Sequence, residues 1–282
     1  MKQLFRERVR DFVLAVLLVG LAWSVRGATP FDVAVNGPRP NDPLILQGEY
    51  AAPASSGAPV LVMLHGLGGS RGEWTPLVQR AVHRGWGTLA FDLRGHGHSR
   101  GTMAGRTVNF EDPQNGRTAA FWKQLPSDLE QVVATLEKKT GTPRGRIVLV
   151  GASIGANTVL DAATRLNGLD ALVLLSPGLD YAGILTEGPM SHLATPTLMI
   201  AAQPDLYAYT SGQRLKTLAP PGLLTWKPLE AGTPQGAHGV QLFDGKLEEK
   251  ILDWIAVTSK QITDHPVRHP GESRDPVVKT GS

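Results

Sequence analysis

Hydrophobic positions along this chain come in short solid runs, separated by longer stretches in which they recur every three or four residues. The solid runs have strand length: residues 60–64, 87–91, 147–150, 171–175, 197–201 and 223–228, preceded by 44–50. A strand that is apolar at every position is buried on both faces, as in a parallel sheet with helices above and below it. The intervening stretches supply such helices. Residues 74–83, 154–166 and 247–257 carry helical spacing, the last placing Leu247, Ile251, Leu252 and Ile255 on one face. Residues 129–136 form another, opened by Ser127 with Glu130 three residues on, a capping-box pattern. The alternation predicts an α/β fold with a mostly parallel sheet of about eight strands and helices on both faces.

The ends of the chain break this pattern. Residues 27–58 are rich in Pro, Gly and Ala, with 44–50 as their strand. Before them, Lys2, Arg6, Arg8 and Arg10 precede an apolar run at 12–25. That run would span about 21 Å as a helix, short of the ~30 Å hydrocarbon core. A basic start and a short apolar run form the pattern of a secretory signal peptide, with an uncleaved anchor through 12–25 as the alternative. The expected setting is therefore periplasmic or secreted, and any membrane association runs through that segment. From Thr263 onward no apolar period remains, which predicts a disordered tail whose His265 and His269 take no part in chemistry. The expected domain is 28–262.

Composition narrows the classes further. Hydrophobic residues make up 41% of the 282 and charged residues 19%, enough apolar content for a large core. The formal net charge is +3 and basic residues do not interleave with aromatics, so no nucleic-acid groove is expected. Cysteine is absent, which removes disulfides, thiolate nucleophiles and cysteine-based zinc sites together.

Three serines, Ser70, Ser99 and Ser153, sit in a Gly-x-Ser-x-Gly pattern. As a nucleophile elbow, the pattern needs a strand ending just before the serine and a helix starting just after it. Ser153 meets both conditions, because Arg146-Ile147-Val148-Leu149-Val150 leads into Gly151-Ala152-Ser153-Ile154-Gly155 and a helical stretch follows. Ser99 is followed by Gly101-Thr102-Met103-Ala104-Gly105, with no helical period. Ser70 is separated by loop from the strand end at Leu64.

With these landmarks the sequence resembles the α/β-hydrolase superfamily over about residues 45–260. The resemblance rests on Leu64-His65-Gly66-Leu67-Gly68-Gly69, then Phe91-Asp92-Leu93-Arg94-Gly95-His96-Gly97-His98-Ser99, then the elbow at Ser153, then Ala237-His238-Gly239, in the family's order. The second landmark is most similar to the monoglyceride-lipase and proline-iminopeptidase-like branches. The resemblance implies a Ser153, Asp205, His238 triad, with Asp205 after the strand at 197–201 and Asp180 as the alternative acid. It implies an oxyanion hole from the backbone N–H groups of Ile154 and Leu67, and a structural part for His65.

The pair His96 and His98 has no further ligand at metal spacing, and neither a dinucleotide nor a phosphate-loop motif occurs, so no metal or cofactor is expected. The resemblance places a lid at 177–195, too short for a cap domain. A second insertion, 100–125, brings Phe110, Phe121 and Trp122 toward the pocket in this reading. The expected activity is hydrolysis of small-molecule carboxylic esters with small or medium acyl groups. A serine peptidase or acyltransferase on the same scaffold is the alternative, and a non-catalytic binding protein is the reading from another class.

Overall fold

The computed structural model describes residues 27–116, 118–230 and 236–264. Ten strands form: β1 (Thr29–Arg39), β2 (Asp42–Ala51), β3 (Val60–Leu64), β4 (Gly87–Phe91), β5 (Ile147–Ala152), β6 (Ala171–Leu175), β7 (Asp180–Tyr181), β8 (Ile184–Leu185), β9 (Thr197–Ala202) and β10 (Leu224–Leu229). Eight of them make one sheet in the order β1-β2-β4-β3-β5-β6-β9-β10. From β4 to β10 every neighbouring pair is parallel, whereas β1 and β2 join antiparallel at one edge. The five main helices are α1 (Thr75–His83), α2 (Leu125–Thr140), α3 (Ile154–Ala163), α4 (Leu206–Leu218) and α5 (Lys246–Asp264).

The solid apolar runs are solid because both faces are covered. Alternate side chains of β3 and β5 enter opposite cores. Val62, Leu64 and Leu149 meet α2, α3 and α4 on one face, while Leu61, Met63 and Val150 meet α1 and α5 on the other. The first core takes Leu129, Val132, Val159 and Leu215 from the helices, and the second takes Leu77, Ile251, Leu252 and Ile255. The mostly parallel sheet with helices on both faces is therefore present.

Three local features differ from the sequence reading. Within 27–58 that reading gives only the strand at 44–50, whereas β1 also forms, alternating Phe31, Val33 and Val35 inward and pairing along β2. Its Pro and Gly residues hide the pattern, and an edge strand tolerates them. The chain turns back at Asn41, whose φ is 60°. The capping box does not form either. Helix α2 starts at Leu125 with Pro126 in its first turn, and no side chain caps it. Glu130 instead pairs with Arg165 at 2.6 Å. Third, the aromatics expected toward the pocket serve the core instead: Phe121 and Trp122 are buried in it and Phe110 packs against it. Helix α5 runs on to Asp264, past the expected domain end. The basic and apolar N-terminal segment lies outside the described residues, as do His265 and His269.

Candidate active site

Strand β5 ends at Ala152, helix α3 begins at Ile154, and Ser153 between them has φ 56° and ψ −123°. An L-residue at positive φ is strained by roughly 1–3 kcal/mol, and the neighbouring backbone must be close enough to impose it. The two motif glycines allow that approach. A Cβ on Gly151 would lie 2.3 Å from the Gly155 carbonyl oxygen, and one on Gly155 would lie 2.5 Å from that of Leu64. The Ser153 N–H donates to the Leu175 carbonyl at 2.9 Å, fixing the elbow to β6. Ser70 and Ser99 are loop residues, as expected. The Ser99 hydroxyl is buried, donating to the Asp92 carbonyl at 2.6 Å and accepting from the Gln47 N–H at 2.8 Å.

His238 and Asp205 come from different strand ends and meet. The His238 Nδ1 lies 2.5 Å from Asp205 Oδ2. Asp205 also caps α4, its Oδ1 accepting from the Ala208 N–H at 3.4 Å. One carboxylate thus orients the imidazole and starts a helix. Asp180, the alternative acid, is exposed and engaged elsewhere: its Oδ1 accepts from the Gly183 N–H at 2.7 Å across the β7–β8 turn. The loop carrying His238 is held by buried Ser176, whose hydroxyl accepts from the Gly239 N–H at 3.0 Å.

Among the described residues, nothing accepts from the backbone N–H groups of Leu67 and Ile154. Ile154 directly follows Ser153, and Leu67 lines the same cavity as Ser153 next to Gly66, where a Cβ would lie 3.2 Å from that of Ser153. Two buried histidines hold the Leu67 loop. His65 sets its Nδ1 2.6 Å from the Gly66 carbonyl and accepts the Leu93 N–H at Nε2, 3.0 Å away. His96 accepts the Gly68 N–H at Nε2 over 3.1 Å, with its Nδ1 2.9 Å from the Arg94 carbonyl and its ring stacked on Phe110 at 3.8 Å. An Nε2 that accepts is an unprotonated nitrogen. Burial lowers the His65 pKa, and burial with the neighbouring His65 lowers that of His96 to about 4, which keeps both rings neutral. His98 is exposed beside Arg71 and Asp92, apart from that stack.

A cavity of about 130 Å³ opens over Ser153, and Gly66, Leu67, Glu73, His238 and Gln241 are among the residues that line it. The lid is short, as the chain length between β6 and β9 requires: the β7–β8 hairpin and a turn of helix at Glu187–Ser191. Its Tyr181 packs edge-on to the His238 ring, with centroids 6.1 Å apart, and its hydroxyl donates to the Ser176 carbonyl at 3.4 Å. Burial, with Asp205 nearby, raises the Tyr181 pKa, so the phenol stays protonated. Tyr181 and Glu73 carry no motif that sequence reading could have used.

The model of the α/β hydrolase fold family matches residues 59–255. The chain belongs to that family. Its hydrolase domain is 29% identical over 157 residues to the quorum-quenching protein AidA of Acinetobacter baumannii (strain MDR-ZJ06), covering 55% of this chain and 47% of AidA. It is 28% identical over 148 residues to the uncharacterized protein YfhR of Escherichia coli (strain K12), covering 50% of this chain and 46% of YfhR. This chain therefore spans about half the length of those curated relatives. The crystal structure of 2,6-dihydroxy-pseudo-oxynicotine hydrolase superposes with a TM-score of 0.63 at 18% identity, over 82% of this chain and 68% of that one. At that identity the likeness is one of fold. These matches establish the superfamily without selecting a branch within it.

Proposed function

We propose that this hydrolase cleaves carboxylic esters of small to medium acyl groups through an acyl-enzyme on Ser153. The observation that carries the reading is the 2.5 Å contact of His238 with Asp205, in a cavity wall shared with a serine held at φ 56°. In the proposed cycle, Ser153 Oγ attacks the ester carbonyl carbon and its proton passes to His238 Nε2. Asp205 keeps Nδ1 protonated and stabilises the imidazolium. The carbonyl oxygen becomes an oxyanion facing the N–H groups of Leu67 and Ile154, which have no other acceptor among the described residues. The carbon–oxygen bond to the leaving group then breaks, and His238 returns the proton to the departing alcohol. A water molecule repeats the sequence, giving its proton to His238 and releasing the acid. No step requires a metal or cofactor. Hydrolysis of carbon–oxygen bonds in preference to amides is supported by the short lid between β6 and β9, a hairpin and one turn of helix, which offers little chain to clamp a peptide.

A fluorophosphonate probe and p-nitrophenyl butyrate test this together. The probe should label Ser153, and both labelling and turnover should fall at least about 10³-fold in His238→Ala. Labelling that is unchanged in His238→Ala would overturn the triad, and a strict preference for long-chain triacylglycerols would overturn the acyl range.

A further inference from the structure

Tyr181 ends strand β7 of the lid and lies against His238, the two rings meeting edge-on with centroids 6.1 Å apart. Its own position is fixed by several contacts. The Tyr207 ring meets it edge-on at 5.5 Å. Gly178 lies against both tyrosines: a Cβ there would come 2.8 Å from the Tyr181 ring and 2.7 Å from that of Tyr207, so a bare backbone lets the two rings close down. At its tip the Tyr181 hydroxyl donates to the Ser176 carbonyl at 3.4 Å, and the Ser176 hydroxyl also holds the His238 loop through the Gly239 N–H.

The lid backbone around Tyr181 is tied to the helices that follow two triad residues. Asn157 is fully buried in α3, one turn beyond Ser153. Its Nδ2 donates to the Ile184 carbonyl at 2.9 Å and its Oδ1 accepts the Gly178 N–H at 3.0 Å. A buried amide is costly unless it is hydrogen-bonded, and here both partners are lid backbone. Tyr207, two residues beyond Asp205 in α4, holds Asp180 by both of its backbone groups. The Tyr207 hydroxyl accepts the Asp180 N–H at 3.0 Å and donates to the Asp180 carbonyl at 2.9 Å.

A contact at one ring nitrogen, such as that of His238 Nδ1 with Asp205, leaves an imidazole free to rock about it, and the His238 side chain is 33% exposed. Proton transfer needs the other nitrogen within hydrogen-bond reach of Ser153 Oγ and then of the departing oxygen. We infer that Tyr181 is a positioning residue that braces the His238 imidazole for both transfers, with Asn157 and Tyr207 holding the brace. This rests on the ester-hydrolase reading and gives the lid a part in the chemistry of that cycle.

Two butyrates that differ in leaving group separate bracing from general damage. p-Nitrophenolate departs without a proton, whereas the ethoxide of ethyl butyrate must receive one from His238. A rocking ring therefore costs one proton transfer with the first ester and two with the second. Tyr181→Ala should lower kcat/KM about 10-fold for p-nitrophenyl butyrate and about 10²-fold for ethyl butyrate, through kcat more than KM. Tyr181→Phe keeps the ring against His238 and should stay within about two-fold of wild type on both esters. Tyr207→Phe, which removes only the hydroxyl that holds Asp180, should shift the ratio of the two esters in the same direction as Tyr181→Ala. Equal losses on the two esters, a change in KM alone, or equal damage from Tyr181→Phe and Tyr181→Ala overturns the brace while leaving ester hydrolysis in place. A second readout needs no turnover: the NMR resonance of the His238 Nδ1 proton should be sharp in wild type and Tyr181→Phe and broadened by exchange in Tyr181→Ala. That pattern with neither ester hydrolysed by wild type keeps the brace and overturns the ester reading. A resonance unchanged in Tyr181→Ala overturns the brace.

Discussion

An alanine at position 155 would put its Cβ 2.5 Å from the Leu64 carbonyl oxygen and 2.7 Å from that of His65. Neither atom belongs to a flexible side chain, so the end of β3 would have to retreat from the elbow. Gly155→Ala is expected to lower stability by about 1–3 kcal/mol, read as a shift in denaturant midpoint, and to reduce ester turnover further by moving Leu67. Gly57→Ala is the control, since nothing lies within 4 Å of its Cβ position; an equal midpoint for the two variants would contradict the account. At this scale the sequence was readable where chemistry has a local signature. Ser153 could be chosen from three serines because strand and helix spacing flank it, whereas His238 and Asp205 came from the family resemblance. That resemblance favoured Asp205 and left Asp180 as the alternative, because the choice depends on which loop end faces His238. Tyr181 and Glu73 were invisible for the same reason: their neighbours in space are far away in sequence.

The segment between β4 and the 100–125 insertion shows how one element positions a site without taking part in the reaction. Asp92 accepts the Arg71 N–H at 2.8 Å and the His98 N–H at 2.9 Å and pairs with the Arg71 guanidinium. Arg94 donates two bonds of 2.6 Å to Asp128 of α2 and one of 3.1 Å to the Asn36 carbonyl of β1. His96 holds the Gly68 N–H, and Ser99 closes back onto Asp92. The segment was legible as a family landmark. Its physical content was not, because its partners lie in β1, α2 and the loop after β3. Breaking the Arg94–Asp128 pair leaves a buried guanidinium without its counter-charge. Asp128→Ala should cost about 3–5 kcal/mol. A loss under about 1 kcal/mol in chemical denaturation would show that the pair is not a tie between α2 and the sheet.

Across the whole molecule, the neutral buried histidines couple stability to pH. A histidine whose folded pKa lies below its unfolded value of about 6.5 stabilises the fold above that pH, and the contribution is lost as pH falls toward the folded value. For His96 the window runs from 6.5 down to about 4, worth on the order of 3 kcal/mol. His65 works in the same direction. Asp128, pushed up to about 6 by burial against the pull of Arg94, works in the opposite direction. Removing His96 should therefore change the pH response in one direction: between about pH 6.5 and pH 4.5 the melting temperature of His96→Asn, whose amide oxygen can still accept the Gly68 N–H, should fall less or rise more than that of wild type. Parallel melting curves for the two proteins across that range would refute the coupling. The overall layering, by contrast, was legible from the first hydrophobic run to the last, because burial on both faces of a sheet leaves a mark at every position. The antiparallel edge left a fainter one, since β1 is half solvent-facing and interrupted by Gly37 and Pro38.

That edge has a mechanical consequence. Strand β1 is four places from β5 in the sheet, about 19 Å at the usual interstrand spacing, and the chain ahead of Thr29 joins the domain there. Load applied through that segment would enter along β1 and be resisted by its ladder to β2 and by Arg94 on Asn36. The elbow at Ser153 lies outside that path. A domain attached to a bead, an electrode or a scaffold through this end would carry the load on an edge strand, and wear on the attachment would fray that strand before it disturbed Ser153.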